Sequence, residues 1–193
     1  YTIREYIRNF IMSKLEANTI DTVSGTTNLT IGSTNTSTIT MPNGKLTGQS
    51  YPSFEATLGG DTTISDVTVT LVPFNVVTFD TDSCYSTSTY KFTPNVAGKY
   101  LVYCSVMADA IGGTDLRRTS ARIYKNDAHY KSVQWLQDSN RARQQNPYVV
   151  GIIEMNGSTD NLSVYAYVDD NSGSPKLESG VRGNSFGAFR LGA

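Results

Sequence analysis

Apolar residues change their spacing twice along this chain. Over Tyr1 to Ala17, Ile3, Ile7, Phe10, Ile11 and Leu15 recur every three or four positions, while Arg4, Glu5, Arg8 and Lys14 fill the remainder. That period predicts an amphipathic helix over residues 1–17, roughly 25 Å long. Alone it would be marginal in water, so its stripe needs a bundle of copies, a larger partner or the rest of its own chain. Residues 18–49 are dominated by Ser, Thr, Asn and Gly, with sparse apolar pairs two apart, Leu29 with Ile31 and Ile39 with Met41, around the turn Gly32-Ser33-Thr34-Asn35. So thin a strand pattern cannot bury itself within one chain. It reads either as a flexible linker or as a β-shaft intertwined from three parallel copies.

Pro42-Asn43-Gly44 and Pro52 mark a junction, and residues 50–193 read as strands separated by turns. Runs rich in β-branched and aromatic residues predict strands at Ser53–Leu58, Val67–Leu71, Val76–Asp80, Tyr90–Thr93, Tyr100–Ala108, Ser120–Lys125, Tyr130–Leu136, Tyr148–Met155, Leu162–Val168 and Ser185–Leu191. Short strands with regular turns indicate an all-β sandwich or jelly roll.

Composition narrows the function. The 193 residues carry a net charge of -1, and only 17% are charged, so no basic field exists to hold nucleic acid or an anionic membrane. No apolar run approaches the ~20 residues of a membrane-spanning helix, so no membrane insertion is expected. The sequence opens at Tyr1 rather than at methionine, which fits a trimmed piece, so a missing leader carries no weight. Cys84 and Cys104 make neither a disulfide framework nor a zinc site and read as buried free thiols, with a bridge between them left open. His129 is the only histidine and reads as a strand-edge residue; no nucleophile elbow, phosphate loop or zinc-protease motif is present. A carboxylate pair could include Glu154, but no spacing selects its partner. The chain is expected not to be an enzyme. Trp135 and Tyr130, with Tyr124, Tyr165, Tyr167, Phe186 and Phe189, read as core or subunit-interface packing rather than as a sugar platform.

One segment carries a family signature. In Tyr90-x-Phe92-x-Pro94-x-x-Ala97-Gly98-x-Tyr100, Pro94 and Gly98 punctuate two strands. Val72-Pro73-Phe74-Asn75, Ala121-Arg122-Ile123-Tyr124-Lys125-Asn126, Val149 to Met155 with Asn161-Leu162-Ser163-Val164, and Ser185 to Leu191 follow the same family's order. The domain thus resembles the C1q and tumour-necrosis-factor jelly-roll family, although the Gly-Asp usual at one turn is replaced by Asn156-Gly157-Ser158-Thr159-Asp160. The resemblance implies a homotrimer, which would also supply the partner chains that residues 1–49 need. No collagen repeat precedes the domain, a departure from the vertebrate complement members. A helix, a Thr/Asn/Gly shaft and a C1q-like head together look like a trimeric fibre protein of a virus, in particular a bacteriophage. On that reading the protein is extracellular on the virion, is held to other virion proteins through residues 1–17, and binds a host-surface glycan or protein. The alternatives are a secreted C1q-like lectin, which the Asn-x-Ser/Thr triplets at Asn28, Asn35, Asn156 and Asn161 would suit, and a capsid decoration protein without receptor role.

Strand polarity places the candidate site. If strands alternate in direction, the turns at Pro94–Gly98, Asn126-Asp127 and Asn156–Asp160 share one end, and the loops 109–118, 137–147 and 169–184 share the other. The second set contains Asp115, Arg117, Arg118, Asp138, Asn140, Arg141, Arg143, Tyr148, Asp169, Asp170 and Arg182, a mixture suited to polar surfaces. These residues, Asp138 apart, are the candidate ligand-binding set. Asp169 and Asp170 are also a tentative calcium pair, because some relatives bind calcium near the trimer tip; no other cofactor is expected.

Overall fold

A computed structural model describes residues 52–111, 116–139, 141–171, 175–179 and 183–192. The expected helix at residues 1–17 and shaft at residues 18–49 lie outside the described residues.

Within them the chain is all-β. Its strands are β1 (Ser53–Thr57), β2 (Thr62–Thr63), β3 (Thr70–Leu71), β4 (Val76–Asp80), β5 (Tyr85–Ser86), β6 (Lys91–Phe92), β7 (Gly98–Ser105), β8 (Ala108–Ala110), β9 (Leu116–Lys125), β10 (Ala128–Leu136), β11 (Gln144–Gln145), β12 (Tyr148–Met155), β13 (Leu162–Asp170), β14 (Pro175–Leu177) and β15 (Ser185–Gly192). A five-stranded sheet has the order β12-β7-β15-β1-β4, and a second sheet has the order β10-β9-β13-β6-β5 with β3 also on β13. Period-2 alternation sends one side of each strand into the space between the sheets. Phe54, Tyr100, Val102, Cys104, Val149, Ile153 and Phe186 come from the first sheet, and Phe92, Ile123, Leu162 and Val164 from the second. Phe54 is the hub, stacked on Phe92 at 4.4 Å and on Tyr85 at 4.7 Å, with Phe186 edge-on at 4.9 Å. Both cysteines are free and buried. Burial raises both thiols above the usual range, with Cys104 the more affected.

The strands expected at Val76–Asp80 and Tyr148–Met155 are found with the expected bounds. The single strand expected over Tyr100–Ala108 is two, because Val106 donates to Pro147 O and Ala108–Ala110 turns into another sheet. Of Val67–Leu71 only Thr70–Leu71 pairs; Val67 has a positive φ of 53° and bonds Val168 O through its amide.

The tight turns do share one end. Asn126 and Asp127, at φ 53° and 63°, make the two-residue turn that suits a hairpin. The Asn126 side chain donates to Asp160 Oδ1 at 2.7 Å and accepts from the amide of Asn161 at 2.9 Å. Gly157 sits at φ 70°, where a Cβ would strike the backbone of Val96 and Ala97. Tyr100 closes the signature turn by donating its hydroxyl to Val96 O at 2.6 Å. β1 pairs Ser53 with Phe189 and Thr57 with Ser185, so it runs away from this end.

Candidate functional site

At the opposite end the expected long loops are partly zipped together. A small sheet, β11-β8-β14-β2, draws one short strand from each of three of them and from the loop after β1. Its centre is Asp109, fully buried, which accepts from Gln144 Nε2 at 2.7 Å and has Arg143 Nε 3.4 Å from each carboxylate oxygen. Burial pushes this carboxyl up, but contacts with Gln144, Glu178 and Arg143 outweigh it and hold Asp109 below the ordinary range. Lys176 reaches Asp61 at 2.7 Å and the Ser179 amide donates to the same carboxylate at 2.8 Å, which lowers Asp61 to about 2. The amide of buried Asn184 accepts from Met107 N at 2.9 Å and donates to Glu178 O, pinning the approach to β15. No local pattern marked Asn184, since its partners lie at another point of the chain.

The candidate ligand-binding residues do not form one cluster. Asp115, Asn140 and Arg182 lie outside the described residues. Arg117 and Arg118, on β9, converge on Asp169 Oδ2 at 3.4 and 3.7 Å. Arg143 belongs to the Asp109 network, and Arg141 is half-buried next to the bridge between Leu116 and Ala142. Of the tentative calcium pair, Asp169 faces two guanidinium groups while its neighbour Asp170 is buried, with a register irregularity of β13 between the two. Among the described residues there is no group of three His, Cys, Asp or Glu side chains suited to a metal. Tyr148 is not a loop residue either; it begins β12 and stacks on Tyr103 at 6.4 Å.

Tyr148 belongs to a second surface, the outward side of the five-stranded sheet. Pairing places Ile152, Leu101 and Phe189 in one row across β12, β7 and β15, and Val150, Tyr103, Gly187, Glu55 and Phe79 in the next. Ile152, Leu101, Phe189, Val150, Phe79 and Leu191 are all exposed. At Gly187 the missing side chain leaves the space where the Tyr103 ring lies, and the Tyr103 hydroxyl crosses it to donate to Glu55 Oε2 at 2.5 Å. Burial, with the Glu55 contact second, pushes the Tyr103 phenol well up. A contiguous apolar face of this kind marks a contact surface.

A third surface is the edge strand β10. Tyr130, Trp135 and Leu136 are about half exposed there, so of the two places expected for Tyr130 and Trp135, core or subunit interface, they do not take the core within one chain. The physical reason is position: among the described residues β10 ends its sheet, paired with β9. His129 is exposed on the same strand, 5.5 Å from the ring of Tyr124. Tyr124, Tyr165 and Tyr167 are likewise half-buried on the outer face of the second sheet rather than in the core, whereas Phe186 is core and Phe189 lies on the exposed apolar face. An open cavity of about 460 Å³ near the tight turns is lined by Lys125, Glu154, Met155 and Asp160. Its cation is engaged internally, Lys125 donating to Glu154 O at 2.7 Å and pairing with Asp160 at 2.9 Å.

No protein-family model matches the chain, and no curated protein matches it by sequence. Solved structures do match in fold. Murine APRIL aligns at TM-score 0.56 and 13% identity, over 73% of this chain and 99% of that one. Eiger TNF of S. frugiperda aligns at TM-score 0.53 and 12% identity, over 73% and 92%. The globular domain of zebrafish complement 1qA aligns at TM-score 0.47 and 13% identity, over 73% and 97%. The first two carry the likeness: two packed antiparallel sheets in this strand order make the described part of the chain a jelly-roll sandwich of the TNF/C1q-like fold.

Proposed function

We propose that this chain is a non-enzymatic structural and binding protein that assembles as a homotrimer, a fibre or spike component of a virion whose head recognises a host-surface glycan or protein. The observation that carries the assembly is the apolar outward face of the five-stranded sheet, with Ile152, Leu101 and Phe189 in one row. A second and different apolar surface, the β10 edge with Tyr130 and Trp135, is available to meet it. Face against edge is a heterologous contact, and such contacts close into a ring where the rotation between copies closes. A ring of three is the number that the TNF/C1q resemblance implies. The fibre reading draws its support from the Ser/Thr/Asn/Gly-rich residues 18–49, whose sparse apolar pairs gain burial when three copies run together. Attachment to other virion proteins falls to the apolar stripe of residues 1–17. Recognition by three copies multiplies a weak contact through effective concentration.

Light scattering on the full chain under native conditions tests the assembly. Three times 21.1 kDa is expected, and a monomer at micromolar concentration would overturn it. Mass spectrometry of purified virions tests the location, with recovery only from particle-free medium as the contrary result.

A further inference from the structure

The outer face of the second sheet carries a cationic cluster that neither the assembly nor the loop network uses. β9 turns Arg118, Ser120, Arg122 and Tyr124 to this side, and β13 turns Tyr165, Tyr167 and Asp169 beside them. Ser120 is small and buried, so the arginines on either side of it along the strand lean over the hollow toward Tyr167. Each guanidinium carbon stands 5.1 Å from the centroid of that one ring, which puts the two cations within about 10 Å of each other, twice that distance. Cation–π attraction to the ring helps to hold them there. Charge balance is incomplete. Among the described residues, Arg117 and Arg118 share the one carboxylate of Asp169 and no carboxylate lies within ion-pair distance of Arg122, so one negative charge stands beside three positive ones in a chain whose net charge is -1. Arg122 donates through Nε to Ser120 Oγ at 3.2 Å, and Arg118 Nε is buried without an acceptor. A small swing of Arg118 toward an incoming anion therefore breaks no hydrogen bond at Nε.

Next to Arg122 across the strands lies Tyr165, and Tyr165 and Tyr124 form a half-buried ring pair at 4.2 Å. The outward positions of β13 are spaced by roughly 6.6 Å, so the ring pair lies about one such step from the paired guanidiniums. A planar cation fork beside an aromatic shelf on a flat sheet suits a ligand with a carboxylate on a ring that has an apolar side. The geometry points to a binding site for a carboxylated glycan on this face, with Arg118 and Arg122 holding the carboxylate over Tyr167 and with Tyr165 and Tyr124 packing against the sugar ring. The half-buried ring pair beside the guanidiniums suits the apolar side of a sugar ring and favours a sugar chain over an acidic peptide. The site is complete within one chain. It rests on the proposed glycan recognition and not on the assembly: its residues lie on β9 and β13, beside the β10 edge rather than on it, and a monomeric protein would still carry it.

Calorimetric titration of the full chain with hexagalacturonate, its carboxyl-reduced neutral counterpart and polyglutamate tests the site. The acidic sugar binds, salt weakens it, and the neutral sugar and the peptide do not bind. Arg122→Gln loses about tenfold or more in affinity, the scale of a charge-assisted hydrogen bond. Arg122→Lys, which keeps the charge and the fold but not the fork, and Tyr165→Leu are also weakened. Lys91→Gln, which removes a positive charge near Asp127, leaves affinity unchanged. Unchanged melting temperatures show that the variants are folded. No binding of hexagalacturonate, equal binding of the neutral sugar or of polyglutamate, or an equal loss in Lys91→Gln would each overturn the proposal.

Discussion

Replacing Ile152 by Asp tests the assembly directly, because this side chain supports the proposed contact and little else. Ile152 is 59% exposed within the chain, and its row neighbours Leu101 and Phe189 are 37% and 50% exposed. Full burial of an apolar side chain stabilises by about 1.5–3 kcal/mol, so the exposed fraction of Ile152 holds back roughly 1–2 kcal/mol and the row of three roughly 2–4 kcal/mol per contact. Association costs 4–15 kcal/mol in lost freedom, so Val150, Phe79 and Leu191 must contribute as well. An aspartate at position 152 removes its share and adds an unpaired charge that must be desolvated, a further cost of several kcal/mol. Over the three contacts of a closed ring the loss is on the order of 10 kcal/mol, far beyond the tenfold change that each ~1.4 kcal/mol brings. Ile152→Asp should therefore elute as a folded monomer in size-exclusion chromatography with light scattering at micromolar concentration. The isolated fold should tolerate the change, since an outward strand position responds by about 1 kcal/mol at most. A variant that stays trimeric with an unchanged dissociation midpoint would refute the assignment of this face.

Other outcomes follow from particular contacts. Gly187→Ala should lower stability by about 1–2 kcal/mol in thermal unfolding, because the new Cβ lifts the Tyr103 ring and breaks its bond to Glu55; an unchanged midpoint would contradict that packing. Asp61 titrates near 2 against an ordinary value of 3.8, so its contribution is present above pH 3.8 and fades as pH falls toward 2. Asp160, also held low by Asn126 and Lys125, acts in the same direction at the tight-turn end. Carboxyl titration by NMR checks both, and an Asp61 midpoint at 3.8 would remove the Lys176 and Ser179 contacts from the account. Both cysteines should resist a soluble thiol reagent in the native protein, Cys104 more completely than Cys84, and react on unfolding. Rapid native labelling of Cys104 would show that its strand opens.

The aromatic stripe shows how far local pattern reaches. Arg118, Ser120, Arg122 and Tyr124 alternate with Thr119, Ala121 and Ile123, and Tyr165, Tyr167 and Asp169 alternate with Ala166 and Val168, so each strand announces one apolar and one polar side. That the two polar sides are neighbours depends on pairing Tyr167 with Ser120 and Tyr165 with Arg122, across more than forty residues of chain. Spacing contains no such term. The aromatics on these strands were consequently legible as strand residues but not as outer-face residues.

What the sequence determined by itself was the set of strong strands, the tight turns that share one end, and the segment from Tyr90 to Tyr100 that resembles the jelly-roll family. Alternation, β-branched content, proline and glycine act within a few residues, and that is enough to specify them. Tertiary structure decided which outward face stayed apolar, why Gly187 must be small beneath Tyr103, how three loops join in one sheet around Asp109, and that Asp169 and Asp170 point apart. Each of these depends on register between strands distant in sequence, such as Ser105 with Ser185, and register follows from packing the whole core at once.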